Sequence, residues 1–195
     1  MHGRAEALAQ LAAAIRRSPH NLLSPRGVAE LESRHLPECV AFAATLPPGP
    51  ASLIDIGSGA GLPGLVIAIE RPDLTVTLLE ATRKKAAFLR ETADALGLAE
   101  VEVIPGRAEQ LGRTALAGGF DLATARAVAP LARLVAWALP LLRPGGTLHA
   151  IKGERWEQEL ADAAAVLASS GARVVHTPVE VPPVPQPRVV TIARA

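Results

Sequence analysis

Asp55-Ile56-Gly57-Ser58-Gly59-Ala60-Gly61-Leu62-Pro63-Gly64 is the stretch that decides the fold of this chain. It follows the apolar run 51–54 and leads into the apolar helical pattern 65–69, so the order is strand, glycine turn, helix. Glycines at alternate positions allow positive φ angles, and they let a ligand approach the main chain where a Cβ would block it. The stretch therefore predicts a binding site for a nucleotide-like cofactor.

Two cofactor motifs fit the same glycines. Gly59, Gly61 and Gly64 match the G-x-G-x-x-G pattern of dinucleotide enzymes. Glu80 follows about 20 residues later, where the ribose-binding acid of that pattern is expected. Asp55 with the glycines at alternate positions matches D-x-G-x-G-x-G instead, which resembles the S-adenosylmethionine motif of class I methyltransferases.

The negative charge of Asp55 favours S-adenosylmethionine over a dinucleotide. A dinucleotide brings a doubly negative pyrophosphate to the helix N-terminus, where this carboxylate would repel it. S-adenosylmethionine brings an ammonium and a sulfonium, which Asp55 can hold or orient directly or through water. Two alternatives stay open: Asp55 only caps the turn, or the chain is a nicotinamide-dependent oxidoreductase. Glu80 can accept both ribose hydroxyls of either cofactor, so it does not decide between them.

Composition bounds the class of protein. A length of 195 residues with 49% hydrophobic residues predicts one domain with a substantial core, and a net charge of +1 gives no overall field for a polyanion. The single cysteine, Cys39, excludes an internal disulfide and is expected in the core. The N-terminus lacks a signal-peptide pattern, and the apolar stretch 127–142 is broken by prolines and Arg133. We expect a monomeric, cytoplasmic protein with no membrane and no DNA partner.

Strand and helix patterns divide the single predicted domain, 1–195, into two parts. Residues 1–50 are predicted as a helical lead-in, with helices over 4–17, from Pro25 after the N-cap Ser24, and over 36–46. Residues 51–195 form the cofactor-binding α/β core, where alternating strands and helices predict a parallel, doubly wound sheet. The predicted strands are 51–56, 75–80, 101–105, 120–125 and 147–152, and the predicted helices are 62–71, 83–97, 108–112, 130–142 and 155–170.

The tail has a different pattern. Two strand-like runs, 173–181 and 188–193, flank a proline-rich segment without an intervening helix. They predict an antiparallel hairpin at the end of the sheet. The prolines are read as a stiff loop, with a PxxP partner site as the alternative. A turn is expected at Pro144-Gly145-Gly146.

Beyond the glycine turn, several short segments form a specific combination. They are Asp55–Gly64, Thr77–Glu80, Arg83–Lys85 with Phe88–Arg90, Gly106–Glu109, Thr124–Ala127 and Ala150–Gly153, with Asn21-Leu22 and Arg34-His35 in the lead-in. Together they closely resemble the ribosomal RNA small subunit methyltransferase G family over about residues 20–195. The Leu-Pro-Gly extension of the turn and the late Ile-Lys-Gly carry much of the resemblance.

The resemblance implies a class I, Rossmann-like methyltransferase fold. It also implies transfer of a methyl group from S-adenosylmethionine to N7 of a guanine near the ribosomal decoding site. The expected partner is small-subunit ribosomal RNA or the small-subunit particle. Cofactor contacts carried over by motif are Gly57, Leu62, Ala108, Glu109 and Arg126. The glycine-turn argument adds Asp55, Gly59, Gly61 and Glu80.

Basic residues at strand ends are the catalytic candidates. Arg107, Arg126 and Lys152 match basic positions around the active site of the family, and the carboxyl ends of parallel strands face the ligand crevice. We hypothesise that Arg126 donates to guanine O6 or to a phosphate and leaves N7 free. Arg107 and Lys152 are expected to hold the RNA backbone. The alternative is that all three form salt bridges at strand ends.

A basic helix face and one histidine are the RNA-binding candidates. Arg83, Lys84 and Lys85, with Arg90, are expected on one face of the helix after the second strand, where they can contact rRNA phosphates. A solvated helix face explains the same charges. His35 falls in the lead-in part of the resemblance and is either an RNA contact or a structural residue.

Methyl transfer to guanine N7 requires few catalytic groups from the protein. Guanine N7 carries an in-plane lone pair, so no general base is required, and the enzyme mainly aligns donor and acceptor. The sequence contains no motif for a catalytic nucleophile. Its five histidines do not have the spacing of metal ligands, so no metal is expected. The remaining alternatives are a methyltransferase for a small molecule or protein, and a non-catalytic RNA-binding protein.

Overall fold

A computed structural model describes residues 3–112, 114, 116–176 and 188–195, and its centre is one seven-stranded sheet. The strands are β1 (Ala51–Ile56), β2 (Leu74–Glu80), β3 (Glu102–Pro105), β4 (Phe120–Arg126), β5 (Leu142–Lys152), β6 (Arg173–His176) and β7 (Arg188–Ala193). The order across the sheet is β3-β2-β1-β4-β5-β7-β6. The first five strands run parallel, which confirms the predicted sheet.

Helices cover both faces of this sheet. They are α1 (Arg4–Arg17), α2 (Pro25–Ala29), α3 (Leu36–Thr45), α4 (Gly64–Glu70), α5 (Arg83–Ala95), α6 (Ala108–Leu111), α7 (Leu131–Ala138), α8 (Trp156–Asp162) and α9 (Ala164–Ser170). Most predicted helices are confirmed. Ser24 caps α2 as expected, because its hydroxyl accepts from the Gly27 amide at 3.1 Å. A π-helical turn at Leu31–His35 was not predicted.

The structure differs from the prediction mainly in three places, besides shifts of one or two residues at other element ends. The helix predicted over 130–142 ends at Ala138, and β5 already begins at Leu142. The expected turn at 144–146 therefore lies inside β5, where Gly145 has a φ of +78° and the pairing register with β4 shifts. The helix predicted over 155–170 is two helices that meet at the buried Ala163. No residue in that sequence marks the break.

Side chains that alternate between the two faces of the sheet form two separate apolar cores. Leu53 of β1 and Leu122 of β4 pack in the core under α1, α3, α4 and α5. Ile54 and Ala123, one residue further along each strand, pack in the core under α6, α7 and α9. Successive side chains of a strand point to opposite faces, so each strand contributes to both cores. The lead-in therefore lies on the α4 and α5 face of the sheet.

The tail forms the predicted antiparallel hairpin, with β7 between β5 and the edge strand β6. Residues 177–181 of the first predicted strand, and the proline segment with its PxxP alternative, lie outside the described residues. Cys39 is fully buried, as expected. Within the described part of the chain, no helix is both long and apolar enough to cross a membrane.

His149, buried in β5, gives a testable pH dependence of stability. Burial lowers the pKa of its imidazole to about 4, and Thr147 hydrogen-bonds its Nε2 at 2.9 Å. In the unfolded chain His149 is protonated as the pH falls below about 6.5, whereas in the folded chain it is protonated only near pH 4. Stability contributed by neutral His149 is therefore present above pH 6.5 and falls as the pH drops towards 4.

The wild type is expected to lose about 3 kcal/mol more unfolding free energy between pH 7 and pH 4 than His149→Gln, which cannot take up this proton. Denaturant unfolding at several pH values measures both proteins. Parallel pH dependences for the two proteins would contradict the prediction.

Candidate active site

A cavity of about 510 Å³ opens at the carboxyl edge of the parallel strands. The ends of β1, β2 and β4 form its floor, and the start of α6 forms one wall. The lead-in forms another wall through Leu22, Leu23 and His35. In open α/β sheets this edge is where ligands bind. The cavity therefore joins the glycine turn to the N-terminal layer.

The glycine turn lies flat on the end of β2. The amides of Gly57 and Ser58 both donate to the Leu79 carbonyl, at 2.8 and 3.1 Å. Gly57 has a φ of +71°, and a Cβ added there would lie 2.9 Å from a methyl group of Val128. Both the backbone conformation and the close neighbour require glycine. Gly59 and Gly61 also have positive φ angles.

Glu80 ties the turn to the next helix. One carboxylate oxygen accepts from the Gly59 amide at 3.0 Å, and the other accepts from the Thr82 amide at 2.7 Å, at the entrance to α5. Glu80 is buried and lines the cavity. Each carboxylate oxygen can accept a second hydrogen bond, so both remain able to receive ribose hydroxyls.

Asp55 lies behind the turn and does not line the cavity. Its Oδ2 accepts from the Gly64 amide at 3.2 Å, while its buried Oδ1 has no hydrogen-bond partner among the described residues. Burial raises the pKa of this carboxyl to about 7, with a smaller contribution from the nearby Glu80 and against the opposing effects of Ser58 and Gly64. Asp55 thus accepts a hydrogen bond at the start of α4, and its other carboxylate oxygen is buried near the cavity without a partner among the described residues.

Arg126 lines the cavity from the end of β4, as predicted. Its guanidinium donates from Nη1 to the Cys39 sulfur at 3.2 Å, and its Nη2 lies 3.3 Å from Glu38 Oε2 and within hydrogen-bond distance of His35 Nδ1. Burial lowers the pKa of His35, and the charge of Arg126 lowers it as well. Neutral His35 can therefore accept from the guanidinium.

Lys152 is not brought to the cavity, which corrects its expected role on the RNA backbone. Its side chain is 7% exposed, and its ammonium donates to Glu159 at 2.8 Å and to the Ala129 carbonyl at 2.7 Å. Arg126 pairs with Ile151 in the sheet, so Lys152 is one residue out of phase. The two side chains consequently point to opposite faces of the sheet, and Lys152 forms the structural salt bridge instead.

The other predicted residues divide into two groups. Leu62, Arg107, Ala108, Glu109 and Lys85 line the cavity. Arg83, Lys84 and Arg90 lie outside it on exposed surface, and Arg90 donates to the Val103 carbonyl at 3.2 Å. Arg107 is largely exposed and lies 3.9 Å from Glu109.

Sequence reasoning missed several residues at the site. Glu38 is the most important, because it is buried against Arg126 although 88 positions separate the two in sequence. Its spacing of four from Arg34 indicated only a local helical pair. Val128 and Trp137 also line the cavity, and no local pattern distinguished them from core residues.

The fold is the class I, Rossmann-like methyltransferase fold, with the cavity at the edge of a mixed seven-stranded sheet. The chain belongs to the rRNA small subunit methyltransferase G (GidB) family, whose model matches residues 4–185. A "Ribosomal RNA small subunit methyltransferase G" from Thermobifida fusca is 52% identical over 147 residues, covering 75% of this chain and 60% of that protein. One of the same name from Salinispora tropica is 44% identical over 189 residues, covering 89% and 77%. The chain thus spans less than two thirds of the T. fusca protein.

Solved structures support the fold. The mitomycin 7-O-methyltransferase MmcR superposes with a TM-score of 0.65 at 24% identity, covering 97% of this chain and 67% of that one. M. jannaschii TYW2, solved in complex with AdoMet, gives 0.64 at 15% identity, covering 92% and 78%. The predicted fold class is confirmed by these similarities.

Gly57→Ala tests the glycine turn at residues 57–61, which we call the cradle because it lies along the cavity. Alanine in a left-handed conformation costs about 1–2 kcal/mol, and here its Cβ also meets Val128. We expect affinity for S-adenosylhomocysteine, measured by calorimetry, to fall by about tenfold or more, which is about 1.4 kcal/mol.

Gly97→Ala is the matched control, because Gly97 has a φ of +70° but no atom within 4 Å of an added Cβ. It should lose similar stability and keep its affinity. Equal affinities for both variants would show that the contact with Val128 does not shape the cradle.

Proposed function

We propose that the protein binds S-adenosylmethionine in this cavity and transfers its methyl group to N7 of a guanine in small-subunit ribosomal RNA. The observation that carries the proposal is one cavity lined both by the glycine cradle and by Arg126 and His35. Membership of the rRNA small subunit methyltransferase G family supports the RNA substrate. The aligned relatives support the same substrate class by their names.

Charge supports a cationic ligand in the cradle. Asp55 is fully buried with one unpartnered oxygen, and Glu80 lies beside it at the cavity wall. A positive ligand nearby stabilises the ionised form of such an acid. A pyrophosphate would do the opposite, and the Gly64 amide at the start of α4, where it would bind, already donates to Asp55. These contacts argue against the nicotinamide alternative.

The reaction requires alignment. When bound, S-adenosylmethionine supplies a methyl group activated by its positively charged sulfur. The N7 lone pair of guanine forms the new carbon–nitrogen bond as the carbon–sulfur bond breaks, and the positive charge passes from sulfur to the purine. Arg126 is proposed to donate to O6 or to a phosphate, which orients the base and leaves N7 unblocked. Arg107, exposed at the cavity wall, is proposed to hold the RNA backbone.

Methyl transfer to isolated ribosomal subunits tests the proposal. The protein is incubated with labelled S-adenosylmethionine and small subunits lacking the modification, and the labelled base is mapped. We expect one labelled guanine, modified at N7, with no label in large subunits and much less label with Arg126→Ala. Cofactor binding without RNA labelling would instead favour a small-molecule or protein substrate, or a non-catalytic RNA-binding protein.

The basic start of α5 is proposed as an rRNA contact. Its first turn carries Arg83, Lys84 and Lys85 and no acid. Cations at a helix N-terminus oppose the helix dipole, each by about 0.3–1 kcal/mol. Neither Arg83 nor Lys84 forms an ion pair with another described residue. Charges retained against this cost, beside the cavity, fit an RNA surface.

Reversing both charges, in Arg83→Glu with Lys84→Glu, is expected to weaken RNA binding and to flatten the slope of log affinity against log salt by about one to two. Filter binding across a salt series measures the slope, and calorimetry should show unchanged cofactor affinity. Arg173→Glu, exposed on the far edge strand β6, is the control. A slope as steep as that of the control would identify α5 as an ordinary solvated helix. The monomeric state, the cytoplasmic location and the absence of DNA and membrane partners stay predictions.

A further inference from the structure

Three side chains of the lead-in hold Arg126, and we call them the arginine clamp: His35, Glu38 and Cys39. His35 ends the π-helical turn, and the other two lie in the first turn of α3. Leu122, in phase with Arg126 on β4, packs in the core beneath α3. The alternation of the strand therefore directs Arg126 towards the lead-in.

Glu38 is the charged member of the clamp. It is 6% exposed, and its two carboxylate oxygens contact different cations. Oε1 accepts from Arg34 Nε at 2.8 Å, and Oε2 lies 3.3 Å from Arg126 Nη2. A buried carboxylate needs such partners, because an isolated charge is costly in a low dielectric. The local partner Arg34 alone would satisfy one oxygen, and Arg126 satisfies the other.

The clamp leaves part of the guanidinium available. An arginine side chain has five N–H donors in a fixed planar arrangement. The clamp takes contacts from Nη1 and Nη2, to one sulfur, one carboxylate and one imidazole nitrogen. Nε and one N–H of Nη1 are not used by the clamp, and Arg126 lines the cavity. Because the guanidinium is planar, holding Nη1 and Nη2 in place also fixes the direction in which the remaining N–H groups point.

We propose that Glu38 is a positioning residue for methyl transfer: it sets the orientation of the Arg126 guanidinium and neutralises its charge beside the reacting groups. The inference rests on the proposed function, which places the purine next to Arg126. An unpaired guanidinium would repel the sulfonium before transfer and the methylated purine after it. Paired with Glu38, Arg126 can donate a hydrogen bond with little net repulsion.

Residue Ala127, directly after Arg126, is consistent with this constraint. It has a φ of +54°, an uncommon conformation for a residue other than glycine. Such backbone persists where surrounding contacts determine it. Val128, the next residue, packs against Gly57 of the cradle. Arg126 is therefore fixed on one side by the clamp and followed on the other by a backbone turn that rests on the cofactor cradle.

Glu38→Gln tests the inference, because it keeps the size and an oxygen acceptor but removes the charge. We expect kcat for methylation of small subunits to fall by about 100-fold, the effect of misplacing a reacting group by about an ångström. KM for subunits and affinity for S-adenosylhomocysteine should stay within about threefold, below the factor of ten that corresponds to 1.4 kcal/mol. Glu38→Asp keeps the charge on a shorter side chain and should keep about a tenth of the wild-type kcat.

Glu30→Gln is the matched control. Glu30 is the other carboxylate on Arg34, with its Oε2 3.2 Å from Arg34 Nη1, and it does not contact Arg126. Its kcat should equal that of the wild type. Thermal unfolding and the stoichiometry of S-adenosylhomocysteine binding check that each variant is folded. If Glu38→Gln does not fold, Glu38→Asp decides, because a folded Glu38→Asp with the wild-type kcat overturns the inference.

The outcomes separate the two proposals. Wild-type protein that binds cofactor but labels no ribosomal RNA contradicts the proposed function itself. Wild-type protein that methylates RNA, with Glu38→Gln equally active, overturns only the role of Glu38. A fall in subunit affinity with unchanged kcat also overturns it, because Glu38 would then support the RNA surface and not the orientation of Arg126.

Discussion

Buried carboxylates lie around the base of the glycine turn, and the arrangement of the site depends on how their charge is balanced. Glu38, Asp55 and Glu80 are each less than a tenth exposed. Glu38 is balanced by two arginines, whereas Glu80 is balanced by the backbone amides of Gly59 and Thr82. Asp55 has the weakest compensation, because one of its carboxylate oxygens has no partner among the described residues, and burial raises its pKa to about 7. A cavity beside such an acid favours a cationic ligand over a phosphate.

The fold followed from local pattern, because strand alternation and the glycine turn are properties of neighbouring residues. β1 and α1 have the predicted bounds. The errors arose where the deciding interaction is not local. α7 ends four residues before β5 begins at Leu142, and α8 and α9 meet at Ala163, which is buried in the second core. No spacing rule applied to one segment contains that information.

The site shows the same division between local and distant information. The glycines and Glu80 were predicted because each ends a strand or forms a turn, and Arg126 because the family resemblance and its place at a strand end both indicated it. Arg126 and Lys152 had the same apparent position, at the carboxyl end of a parallel strand, and only the register between β4 and β5 separates them. Glu38 could not be predicted in this way, because it lies on α3 and its partner Arg126 lies 88 positions away on β4. The lead-in, predicted only as a set of helices, therefore supplies His35, Glu38 and Cys39 to the site.

Magnitudes indicate why a paired arginine suits this reaction better than a free one. Two unit charges about 6 Å apart, at an effective dielectric constant of about 20, repel by about 3 kcal/mol. That energy corresponds to about a 100-fold change in rate if it is present only in the transition state. Because transfer to N7 moves a positive charge onto the purine, repulsion by a free guanidinium would grow as the reaction proceeds. A carboxylate on the far side of Arg126 offsets this repulsion without approaching N7, so the arginine retains its hydrogen bonds while the site stays near neutral.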